Sequence, residues 1–166
     1  MTPGTTALPF LTIKLVPTLE EYVYLVDLPV LDRVPFSGLE EVPKASAIAA
    51  TLHLKTSDIT SNLATKGKEK IQGLTSKFLN SKANTCESTL VFESILALLI
   101  YGLVLFPNIA DFIDANVIQI FLTKNPVPTL LAETYHSIHH RTNKQDGTIL
   151  CFAPLLYRWY TLHLSR

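Results

Sequence analysis

The sequence has two cysteines, Cys86 and Cys151, and no Cys-x-x-Cys pair. That excludes a disulfide framework and gives no foothold for a cysteine-based zinc knuckle, so both thiols read as buried side chains. The six glycines form no phosphate-cradling loop, and no serine stands in a Gly-x-Ser-x-Gly elbow. No Asn-x-Ser/Thr acceptor occurs, and the start MTPGTTALPFLTIKLVP lacks the basic leader, continuous apolar core and cleavage site of a signal peptide. An intracellular chain, in nucleus or cytoplasm, is expected. Charge is scarce at 17%, against the usual quarter of a soluble chain. Fourteen basic and fourteen acidic side chains cancel to a net charge of zero. No bulk field therefore draws the chain to phosphate backbones or anionic membranes, although a focused patch is still open.

A membrane-spanning run is missing too. The one candidate, ILALLIYGLVLF, covers the twelve residues Ile95–Phe106, whereas a spanning helix needs about 20. At ~1.5 Å per residue it reaches only ~18 Å. It reads as a buried helix, and no membrane contact is expected.

What is present is apolar: 48% of the 166 residues, enough for one domain with its own core. With so little charge, that balance points to limited solubility, a partner-covered surface or a fragment of something larger; a protein partner or self-association is expected. Residues 1–14 are polar, small and proline-bearing and read as a flexible arm; residues 15–166 read as a single helical domain. The fold class expected is mainly α, a compact multi-helix bundle around a central apolar helix, with a short β hairpin or strand near 148–152. Thr18 and Glu21 form a capping box ahead of LEEYVYLVDLP. ASAIAATLHL and KTSDITSNL give two short helices, a weak match to a helix-turn-helix without a basic recognition face. Thr75 or Ser76 starts the next. Apolar residues on every side of Ile95–Phe106 predict a helix covered by neighbours, and Gly102 would let another helix pass close. Asn108 or Asp111 starts the helix after it, with Asp111 and Asp114 as capping carboxylates. Asn125-Pro126, or Thr129 after Pro128, opens a helix running to about His140. From Pro154 an amphipathic helix carries Tyr157, Trp159 and Tyr160 as a packing seam that fixes it against the central helix.

Two stretches carry chemistry. ATKGKEKIQGLTSKFLNSK is the only basic one. Its Lys66, Lys68, Lys70 and Lys77 read first as a solvated loop and helix face, and otherwise as a contact for nucleic acid or an acidic partner. AETYHSIHHRT holds three of the five histidines. On a helix Glu133, His136 and His140 fall on one side, being three and four residues apart. His139 and Arg141 add to a polar helix end that complements the dipole and offers a contact edge. Zinc is the metal that Glu133, His136 and His140 would suit, but tetrahedral zinc needs four donors, or three and an open water. Asp146, Cys151 or His163 would have to supply the rest. There is no second Glu-x-x-His for a carboxylate-bridged iron pair and no His-Glu-x-x-His. No catalytic residue and no cofactor are assigned.

The strings LVPTLEEYVYLVDLPVLDRVPFSGLE, ILALLIYGLVLFPNIADFID, IFLTKNPVPTLLAETYHSIHHRT and GTILCFAPLLYRWYTLHL resemble the uncharacterised plant domain of the DUF7745 type. They are similar, more remotely, to the aminotransferase-like plant mobile domain of transposon-derived genes. The resemblance covers about Leu15 to Leu164. It implies a helical interaction module of mobile-element ancestry that contacts protein or nucleic acid. It also implies a copy cut short at the C-terminus, since such domains usually run on past the PLLYRW helix. It carries over no catalytic or ligand residue, and Lys124 has none of the setting of a pyridoxal-phosphate lysine. A metal-binding protein or metal-dependent enzyme centred on the 133–140 helix is the alternative.

Overall fold

The computed structural model describes residues 16–28, 30–32, 36–38, 41–144 and 153–164, and for residues 138, 140–144 and 153 the backbone alone. The expected arm at 1–14 and the hairpin or strand at 148–152 lie outside the described residues. Within them the chain forms eight α-helices and three short strands, and the expected mainly α architecture is what it builds.

Helix α1 (Leu19–Val26) starts where the Thr18 hydroxyl accepts the Glu21 N–H at 3.3 Å and the Glu21 carboxylate accepts the Thr18 N–H at 2.9 Å. Two orphan donors are thereby satisfied by one reciprocal pair. Helices α2 (Ala45–Leu52) and α3 (Thr56–Asn62) follow around a break at His53, which adopts φ 56°. The lysine stretch is then not a loop. It forms strands β1 (Ala64–Lys66) and β2 (Ile71–Thr75), an antiparallel pair in which Ala64 faces Gly73 and Lys66 faces Ile71. Gly67 at φ 81° and Lys70 at φ 51° turn the chain between them.

Strand β3 (Phe112–Asp114) joins the other edge of β2, with Gly73 opposite Asp114 and Thr75 opposite Phe112, so the sheet order is β1-β2-β3. This moves the helix start expected at Asn108 or Asp111. Phe112 and Ile113 are strand, Asp111 sits in the preceding turn at φ 57°, and Asp114 alone caps α6 (Ala115–Thr123), accepting the Val117 N–H at 3.0 Å. Helix α4 (Ser76–Thr85) grows straight out of β2, because the Thr75 hydroxyl accepts the Phe78 N–H at 3.2 Å.

Helix α5 (Thr89–Ile100) continues as a π-helical turn, Tyr101–Leu105, closed by the Phe106 N–H bonding the Tyr101 carbonyl at 2.9 Å. Ile95 and Leu98 are fully buried, together with Leu52, Ile59, Leu74, Leu79 and Ile113. Gly102 does permit a close approach, but to a strand: a Cβ there would lie 2.6 Å from Cδ1 of Ile113.

Helix α7 begins at Pro126, the earlier of the two expected starts, and runs to Lys144, past His140. Just before it, buried Asn125 accepts the Leu31 N–H at 3.2 Å and donates to the Leu31 carbonyl at 3.3 Å, fixing the loop after α1 to the start of α7. Helix α8 (Ala153–Leu164) packs chiefly on α1 rather than on the central helix. The aromatic seam expected along it is reduced to Trp159, because Tyr157 and Tyr160 face solvent. No helix of the described residues is long and apolar enough to cross a membrane.

Candidate functional site

Burial divides the apolar run of α5 into two faces. Val91, Ile95, Leu98 and Leu99 point into the core, while Phe92, Leu96, Ile100, Leu103 and Val104 are 44%, 44%, 43%, 41% and 44% exposed. The expectation of a helix covered all round is therefore corrected. Neighbours cover the core side, and the opposite side is an apolar stripe four turns long. A π-helical turn carries one residue more than an α turn, which lets Leu103 and Val104 both stay on the face begun by Phe92 and Leu96. Beside the stripe a groove of about 440 Å³ opens between α1, α5 and α8, lined by Leu25, Ile100, Val104, Leu155 and Arg158. Phenylalanine, leucine, isoleucine and valine side chains are thus left exposed along one side of the helix.

The histidine stretch occupies α7 as the spacing predicts. Its inner side is a polar seam: buried Thr134 donates to the Leu130 carbonyl at 2.9 Å and its hydroxyl lies 2.8 Å from that of Tyr22, and Ser137 is buried beside it. Glu133, His136 and His139 lie on the exposed side. Glu133 borders a cavity of about 210 Å³ that it shares with Asn108, Asp114, Asn116 and Phe106. Asp114 is already used there, since Asn108 donates to its second oxygen at 2.8 Å. Among the described residues no three His, Cys, Asp or Glu side chains gather as a metal shell would. The His140 and Arg141 side chains lie outside the description.

The four lysines are all exposed, but they are not one cluster in the chain's geometry. Lys66, Lys68 and Lys70 sit on or beside one hairpin turn, and Lys77 follows β2 on the first turn of α4. Lys66 is partly spoken for: its ammonium donates to the Ala110 carbonyl at 2.6 Å and stands 5.8 Å from the Phe112 ring centre. Lys82, on the same stretch, pairs with Asp58 at 3.1 Å.

A fourth constellation was not foreseen. The Glu21 carboxylate that caps α1 also accepts the Trp159 indole N–H at 2.7 Å and lies 3.1 Å from the His163 Nε2. Nδ1 of the same imidazole lies 2.9 Å from the Trp159 carbonyl, and the two rings lie tilted at 39° with centres 4.7 Å apart. Partial burial raises the Glu21 pKa, but the bonds from the Thr18 backbone, from Trp159 and from His163 outweigh it and hold the group below its ordinary value. This clasp joins α8 to α1. Tyr101, packed edge-on to Phe121 at 5.2 Å, has its phenol pushed up by burial alone.

None of these places combines a nucleophile, a base and an oriented polar pocket. What the fold and its surfaces define is a mainly α domain with a small antiparallel sheet and one open apolar helix face. The chain belongs to the DUF7745 family, a domain of unknown function, whose profile matches residues 3–166. No curated protein and no solved structure matches it.

Proposed function

We propose that the chain is a non-catalytic helical docking domain of mobile-element ancestry that holds protein partners through the apolar stripe of α5. The observation that carries this reading is the stripe itself: Phe92, Leu96, Ile100, Leu103 and Val104, each more than two-fifths exposed, on a helix whose other face is the core. Burying large apolar side chains contributes about 25 cal/mol per Å², so leaving such a row in water is costly unless a partner covers it. The similarity of the chain's strings to the plant mobile domain supports the ancestry. A photo-reactive residue placed at Leu96 should yield a discrete polypeptide adduct in cells, identified by mass spectrometry, while the same residue at exposed Glu20 should not. Equal, background labelling at both positions would refute the docking reading.

A second reading, nucleic-acid contact through the hairpin, is favoured by one specific observation. Lys68 and Lys70 project from the turn and, among the described residues, make no ion pair. With Lys77, and with His139 and Arg141 as further candidates, they supply the kind of focused positive charge that a chain of zero net charge would need.

A further inference from the structure

Resting on the docking reading, we infer that the partner seated on the α5 stripe is a second copy of this chain, its own α5 packed antiparallel about a two-fold axis between Leu96 and Ile100. The stripe is self-complementary under that operation. An isologous pair maps each end of the helix face onto the other end of its copy. Phe92 then meets Leu103, Leu96 meets Ile100, and the large ring at one end fills against the smaller aliphatic residues at the other.

Charge supports the same arrangement. Glu93 is the one charged residue along the stripe from Phe92 to Val104, and it lies on the flank that also carries Ile100 and Val104. On that flank, at the opposite end, Arg158 lines the groove with Ile100 and Val104. Neither Glu93 nor Arg158 takes part in an ion pair among the described residues. A two-fold axis perpendicular to the helix pair keeps each flank on its own side while exchanging the ends. Glu93 of each copy is thereby carried to Arg158 of the other, giving two symmetric rim pairs beside an apolar centre. A parallel pairing would exchange the flanks and keep the ends, leaving Glu93 of each copy far from Arg158 of the other.

The area is sufficient. The exposed parts of Phe92, Leu96, Ile100, Leu103 and Val104 amount to roughly 450 Å² per copy, within the ~300–600 Å² of the largest patches on monomers. A symmetric pair removes about 900 Å² before the rim is counted, and Leu90, Glu93 and the groove wall bring it past the ~1,000 Å² that separates a specific interface from a chance contact.

Sedimentation equilibrium of the purified chain tests this. The wild type should be a dimer at concentrations of order 10 µM. L96D, which sets two carboxylates beside the axis, should weaken dimerisation about 100-fold or more with an unchanged far-ultraviolet circular dichroism spectrum. E93R and R158E should each weaken it roughly tenfold, and the double variant E93R/R158E should recover most of that loss. A wild-type monomer at 100 µM on the scale of such affinities would overturn the dimer. Single variants that the double does not rescue would overturn the antiparallel register. If the purified chain is monomeric while the Leu96 adduct in cells is a different polypeptide, the second copy is refuted and the docking reading stands.

Discussion

The Trp159 indole donates its N–H to the Glu21 carboxylate at 2.7 Å, across 138 positions of sequence. Trp159 is almost fully buried, so the bond anchors α8 to the first turn of α1 rather than decorating the surface. W159F keeps most of the apolar burial and removes the donor. Urea unfolding should show a loss of about 1.5–3 kcal/mol, the usual worth of a hydrogen bond to a charged group, with the slope unchanged.

The same carboxylate makes stability depend on pH. Glu21 is held below its ordinary 4.5, so its contribution is fully present above that value and is lost as pH falls through the lower, folded value. The wild type should therefore exceed E21Q in melting temperature near neutrality. The gap should close on acidification below 4.5, where glutamic acid and glutamine become alike. His163 reinforces the charged state of Glu21, because its Nε2 lies 3.1 Å from the carboxylate. A gap that widens on acidification would contradict the clasp.

What the sequence made legible here is what depends on near neighbours. Thr18 and Glu21 are three residues apart, Thr75 reaches Phe78, and Pro126 opens its helix, so each of these starts can be read from the string. The sheet cannot be read that way. Its strands are three to five residues long, and β2 finds β3 some forty residues later, through a register that only the folded chain supplies. Phe112 and Ile113 fit a helical apolar face as well as a strand, and the cap at Asp114 decides between them. In the α5 run every turn is apolar, so periodicity carries no sign of which face is left open. The lysine and histidine positions were visible as spacings, but spacing does not say what stands opposite: Glu133 borders the Asp114 cavity, and Lys66 spends its charge on Ala110.

Two glycines allow a close approach to β3, Gly102 from the central helix and Gly73 from the neighbouring strand β2, and they differ in what stands in the way. At Gly102 a Cβ would meet only the Ile113 side chain, at 2.6 to 3.0 Å. G102A should cost about 1–3 kcal/mol by overpacking, and I113V should relieve part of it. At Gly73 the obstacle is backbone, the Ile113 carbonyl oxygen and the Asp114 Cα at 2.9 Å. G73A should therefore lose on the order of 3 kcal/mol or more, and I113V should not rescue it. Thermal melts of the four variants G102A, G102A/I113V, G73A and G73A/I113V separate the cases.

The metal reading of Glu133, His136 and His140 makes a different demand. A structural zinc adds folding free energy outright, so H136A and H140A would then each lower the melting temperature and a chelator would abolish the difference from wild type. On the docking reading the untagged protein carries less than stoichiometric zinc by elemental analysis, and a chelator shifts the melting temperature of neither the wild type nor the variants. One zinc per chain, lost in H136A, would move the function to that helix.

Nucleic-acid contact through the hairpin is set apart by salt. Each phosphate neutralised contributes about −0.9 to the slope of log affinity against log salt on duplex DNA. Lys68, Lys70 and Lys77 are exposed, and Lys66 is already bound to the Ala110 carbonyl. The slope on mixed-sequence duplex should therefore be near −3 rather than −4. K68A, K70A and K77A should each flatten it by about one, while K66A should change it least. An affinity unchanged from low to moderate salt would remove the hairpin from the contact surface and leave the α5 stripe as the proposed docking face.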